Sequence, residues 1–204
     1  MHYSIRKKIS AIIFFFLFSD IMFTQVAYTA ENAASSSAPA PLEEEKKINL
    51  ELELKKLDIL IKMGIESSDI YYNRGWIYAE MDDNELAKKD YARAVEIDKD
   101  NADAYFNRGL IYLKEKDYKN AILDFSSAIR LNPQMSDAYC NRGNAYFQTG
   151  RPRQALEDYN KAINIYSKDP DLYYNRALIL QAIGRDRDAA KDLKKAEKLG
   201  SIVK

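Results

Sequence analysis

Arg74, Arg108, Arg142 and Arg176 stand 34 residues apart, and Asp90, Asp124, Asp158 and Asp192 recur at the same interval. A guanidinium offers a planar fork of N–H donors and receives a carboxylate or phosphate through two parallel hydrogen bonds. Two chemistries fit the arginine series: a ladder of anion receptors, or structural ion pairs with the aspartates. The second accounts for both series at once. The paired Asp lies in the same 34-residue unit, or in the neighbouring one, as for Asp90 and Arg108. A second group of residues suits recognition. Asn73, Asn107, Asn141 and Asn175 offer both donor and acceptor to a bound backbone. Tyr72, Trp76, Phe106 and Tyr174, with Leu110 and Asn144 at related places, supply aromatic anchors and their surroundings. Asp69, Asp103, Asp137 and Asp171 also recur; they suit the positive end of a helix dipole or select a basic segment. Nothing has the spacing of a catalytic centre. The single histidine is His2 and the single cysteine Cys140, and there is no phosphate loop, nucleophile elbow or metal-ligand cluster. The sequence reads as a non-enzyme with no cofactor and no metal.

These residues must be positioned by elements that repeat with them. Units of 34 begin at Ser68, Ala102, Ser136 and Pro170, and positions within each unit are numbered 1 to 34 below. Position 4 is Tyr71, Tyr105, Tyr139 and Tyr173. Position 8 is Gly75, Gly109, Gly143 and Ala177, and position 11 is Tyr78, Tyr112, Tyr146 and Leu180. Position 20 is Ala87, Ala121, Ala155 and Ala189. Position 24 is Tyr91, Phe125, Tyr159 and Leu193, and position 27 is Ala94, Ala128, Ala162 and Ala196. The three-to-four spacing predicts two amphipathic helices per unit, A and B, joined by polar turns such as Gly150-Arg151-Pro152. Rings alternate with Gly or Ala, so backbones approach where the small residue sits and the ring fills the space beside it. No unit buries both stripes alone, so the units stack. Positions 2, 5, 6, 9 and 13 share the face of helix A opposite the packed one, which places the recognition residues together.

This pattern resembles the tetratricopeptide repeat family: an aromatic at 4, a small residue at 8, an aromatic at 11, Ala at 20, an aromatic at 24 and Ala at 27. The resemblance covers residues 68–203. It implies an all-α helix-turn-helix solenoid of four repeats (68–101, 102–135, 136–169 and 170–203) with a concave groove and an adaptor role. Arg at position 7 departs from the family, where that position is usually apolar. The family's clamp for the C-terminal carboxylates of heat-shock chaperones is matched only at its Asn. Residues 42–67 are expected to form an N-terminal capping helix or half-repeat, with Leu57 at position 24 and Leu60 at position 27, or a coiled-coil partner helix.

The N-terminus reads as a targeting segment. Arg6, Lys7 and Lys8 precede the apolar run Ala11–Phe18, which is too short for an ordinary membrane span. Residues 1–30 are therefore expected to be a signal peptide or an uncleaved anchor, and 31–41 a low-complexity linker. Lysines and arginines number 31, as do aspartates and glutamates, so a general nucleic-acid binder is not expected. The expected protein is exported, periplasmic or secreted, and holds a peptide segment of a partner protein in its groove for complex assembly. The alternative is a membrane-anchored structural or self-associating module that uses a helical end or the convex face.

Overall fold

The computed structural model describes residues 42–200, the first two by backbone alone. The expected leader, the linker and the end of the fourth unit lie outside the described residues. The chain divides into two compact units, residues 1–48 and 49–204. The described part of the first is the start of helix α1 (Leu42–Lys62), where Glu44 to Ile48 are exposed. The second holds the rest of α1 and eight further helices: α2 (Ser68–Glu80), α3 (Asn84–Ile97), α4 (Ala102–Lys114), α5 (Tyr118–Leu131), α6 (Ser136–Gln148), α7 (Pro152–Ile165), α8 (Pro170–Ala182) and α9 (Asp186–Leu199). Among the described residues there is no strand, and no helix is long and apolar enough to cross a membrane.

Each unit is a helix pair closed by the same turn. Position 15 takes a left-handed conformation in all four units, with φ of +63° at Asp82, +62° at Lys116, +73° at Gly150 and +75° at Gly184. The next N–H then reaches back five residues: Asp83 to Tyr78, Asp117 to Tyr112, Arg151 to Tyr146 and Arg185 to Leu180, at 2.8–2.9 Å. Glycine adopts this geometry at low cost, and units three and four use it. Units one and two place Asp82 and Lys116 there. They compensate with capping aspartates, Asp83 accepting from the Leu86 N–H and Asp117 from the Asn120 N–H. Arg151 and Arg185 make no such side-chain cap.

The core runs between the helices. The ring at position 24 fills the space left by the glycine at position 8, and Tyr91, Phe125 and Tyr159 are the largest fully buried side chains. Each contributes about 1.5–3 kcal/mol relative to exposure. A second seam joins successive units. Val95 buries with Ala104 and Ile111 of the next unit, Ile129 with Ala138, and Ile163 with Leu172 and Ile179. Helices α3, α5 and α7 thus each lie against their own helix A and against the following one. The A helices α2, α4 and α6 also touch in succession, which brings their outer faces side by side. Ile61 of α1 packs on the Tyr71–Tyr91 cluster, so α1 occupies the place of a helix B ahead of the first unit.

Candidate functional site

The periodic charges meet within units. Arg74 Nε and Nη2 donate to Asp90 at 2.7 and 2.8 Å, and Arg108 donates to Asp124 at the same distances. Arg142 donates to Asp158 at 2.8 and 2.7 Å, and Arg176 to Asp192 at 2.7 Å through both nitrogens. The aspartates are buried and the arginines mostly so. Each guanidinium also lies 5.6–5.7 Å from the centre of the position-4 ring, Tyr71, Tyr105, Tyr139 or Tyr173. The carboxylate hydrogen bonds outweigh desolvation and raise the pKa of Arg74, Arg108 and Arg142 above the ordinary arginine value. The two-pronged side of every fork is therefore filled from inside its own unit.

A third arm ties units together. Arg74 Nη1 donates to Asp58 at 2.8 Å, Arg142 Nη1 to Ser126 Oγ at 3.0 Å and Arg176 Nη1 to Asn160 Oδ1 at 2.6 Å. Every acceptor lies sixteen residues earlier, at position 25 of the preceding helix B. Arg108 alone meets an apolar residue there, Ala92. Replacing Ala92 with Asp is expected to add the missing link and raise stability by about 0.5 kcal/mol, after the lower helix preference of Asp. Thermal unfolding reads the change, and the gain should vanish when Arg108 is Met.

The recognition residues lie along the outer faces of the A helices. Trp76 is 43% exposed and Leu178 42%, and Asn73 is exposed. Tyr72, Phe106, Asn107, Leu110, Asn141, Asn144, Tyr174 and Asn175 are half-buried. The half-burial has a specific cause: the position-24 ring extends beneath helix A to the groove side. Tyr72 lies 5.9 Å from Tyr91 and Phe106 5.8 Å from Phe125, centre to centre, both tilted. In unit three the Tyr159 hydroxyl donates to Asn144 Oδ1 at 2.5 Å and accepts from the Cys140 thiol at 3.5 Å. Burial pushes both the Tyr159 phenol and the Cys140 thiol up, so Cys140 stays a thiol at neutral pH. The floor thus changes along the array. Phe106 and Leu110 accompany a phenyl ring, while Cys140 and Asn144 accompany a hydroxyl. Position 24 was legible only as core, and nothing in its spacing shows that its tip reaches the groove.

The asparagines are partly engaged. Asn107 Nδ2 donates to the Tyr72 hydroxyl at 3.1 Å, bridging units one and two, and Asn141 Nδ2 donates to the Asp137 carbonyl at 2.9 Å. Both keep their side-chain carbonyls as acceptors. Asp69, Asp103, Asp137 and Asp171 lie exposed in the first turns of their helices. A recess of about 260 Å³ between units three and four is lined by Asn160, Arg176, Leu180 and Asp188 among others, and by none of the recognition residues. Among the described residues no group of three or more His, Cys, Asp or Glu side chains could hold a metal ion.

Residues 102–135 and 136–169 each match the Tetratricopeptide repeat family, and residues 75–116 match a second family described as TPR repeat. The chain carries tetratricopeptide repeats. The matched residues cover units two and three entirely and most of unit one. The fourth unit lies beyond them but keeps the same turn and the same Arg–Asp pair. Solved structures share the tetratricopeptide fold. The crystal structure of MamA aligns with a TM-score of 0.72 at 22% identity, over 79% of this chain and 96% of that one. MamA from Desulfovibrio magneticus RS-1 gives 0.64 at 17% identity, over 74% and 94%. YrrB, a TPR protein with an unusual peptide-binding site, gives 0.69 at 20% identity, over 78% and 81%. At these identities the likeness is one of fold. No relative was found among curated proteins.

Proposed function

We propose that the chain is an exported tetratricopeptide scaffold that holds a peptide segment of a partner protein along the outer faces of its A helices. One observation carries this reading. Trp76 stands 43% exposed on the same face of the A helices that carries the half-buried rings of Tyr72 and Phe106, so three aromatic side chains share one surface. A bound segment would cover Trp76, and the side-chain carbonyls of Asn107 and Asn141 would accept from its backbone. Aromatic anchors of this kind dominate binding energy at interfaces. The segment Arg6-Lys7-Lys8 followed by Ala11–Phe18 supports export. The use of the same fold for a peptide site in YrrB accords with the reading.

The test is capture of a partner from an extract of the native cell by the purified chain, compared with Trp76→Ala and with Trp76→Ala plus Phe106→Ala. Each substitution should lower capture about tenfold or more. Trp76→Ala is the cleaner variant because Phe106 also leans on Phe125. Undiminished capture by folded variants would reject the groove. N-terminal sequencing of the mature protein tests export.

A further inference from the structure

The two ends of the repeat array are finished differently. In α9, Lys194 stands at position 25, where Asp58, Ser126 and Asn160 accept from the next arginine. Exposed Glu197 stands at position 28, where Val95, Ile129 and Ile163 bury against the next unit. A further helix arriving there would meet two solvated charges. Helix α1 is the opposite case. Leu54, Leu57 and Ile61 lie half-buried on one side, with Ile61 on the Tyr71 cluster. On the other side Leu52, Ile59 and Met63 are 45%, 56% and 70% exposed. Helical geometry puts these three within a stripe about 40° wide and about 16 Å long, three turns of helix. Single exposed apolar residues are ordinary, but an outward stripe on a helix that already buries another marks a missing partner.

Charge states what the partner must be. Lys55 and Lys62 border the stripe on one side, exposed and without an ion pair among the described residues. Lys56 borders the other side and is held by Glu53 at 2.9 Å. A second copy of the chain fits poorly: antiparallel pairing that sets Leu52 against Met63 brings Lys55 against Lys62, and parallel pairing sets Lys55 against Lys56. We propose that the outer face of α1 docks an amphipathic helix of a different protein. That helix is about three turns long, apolar along one stripe, and carries Glu or Asp on the border that meets Lys55 and Lys62. This surface is separate from the groove, shares no residue with it, and gives the scaffold a second point of attachment.

The full chain is titrated with two fluorescent amphipathic peptides of the same leucine stripe, one bordered by glutamates and the other by lysines, at low salt. The glutamate peptide should bind about tenfold more tightly, because each border pair changes from attraction to repulsion. Ile59→Asp should weaken it about tenfold or more, since a buried Ile contact is lost and a charge is placed in the stripe. Ile59 is exposed, so this variant keeps its fold, which circular dichroism checks. Lys55→Glu with Lys62→Glu should reverse the preference between peptides, and Trp76→Ala should leave both affinities unchanged. Equal binding of the two peptides, or indifference to Ile59→Asp, overturns the proposal. So does a concentration-dependent dimer of the wild-type chain that Ile59→Asp dissolves, since the stripe would then be a self-contact.

Discussion

Replacing Arg108 with alanine is expected to destabilise the protein by about 3 kcal/mol. The reason lies in what the substitution leaves behind. The Asp124 carboxylate is only 8% exposed, and its two oxygens accept from Arg108 Nε and Nη2. With the guanidinium gone, a buried charge keeps its desolvation cost and loses its partner. The ring of Tyr105 also loses the cation beside it. Lysine should recover only part of the loss, because an ammonium cannot span both oxygens as the planar fork does. Urea denaturation followed by circular dichroism measures each variant.

A pair of double-mutant cycles identifies the partner. The Arg108–Asp124 cycle should show coupling well above 0.5 kcal/mol, roughly the scatter expected of independent sites, and the Arg108–Asp90 cycle should be additive. Replacing both members at once, Arg108→Met with Asp124→Leu, should approach wild-type stability, because no orphaned charge remains. Additivity in the first cycle, or a double variant as unstable as the single one, would refute this account of the periodic charges.

Much of this fold was written in the period. The 34-residue interval names the helix pairs, and positions 8, 20 and 24 are small or large for reasons that packing alone supplies. Sequence left the Arg–Asp partner open between units because both candidates have the same period; only three-dimensional distance separates them. The seam between units was missed altogether. Val95, Ile129 and Ile163 recur in three units, as do Ile77, Ile111 and Ile179, with Glu197 and Ala145 in the remaining places, but aliphatic residues on a helix do not say which neighbour they face. The third arm of the arginines was hidden for another reason. Its acceptors are Asp58, Ser126 and Asn160, three different residue types united only by geometry. The shared face of positions 5, 6 and 9 was legible, yet not the core rings that lie beneath it at Tyr72 and Phe106. The outward stripe of α1 was masked because its inward stripe already explained an amphipathic helix.

Gly109→Val should cost about 3 kcal/mol or more, and the fourth unit shows why. A Cβ on Gly109 would lie 2.8 Å from Phe125 Cε1 and 3.0 Å from its Cδ1, closer than packed carbon atoms approach. Phe125 is fully buried and has nowhere to retreat. Overpacking a dense core typically costs 1–3 kcal/mol, and valine adds two methyls beyond the first clash. Alanine is the subtler case, since about 1 kcal/mol of helix preference offsets part of its strain. Position 8 is already alanine in unit four, where Ala177 is buried and position 24 is Leu193 rather than a ring. Within this one chain, glycine goes with a ring and alanine with leucine. Gly109→Ala combined with Phe125→Leu should therefore lose less stability than the two single changes added together. Strict additivity, or a Gly109→Val variant as stable as wild type, would show that the glycine is not there to admit the ring.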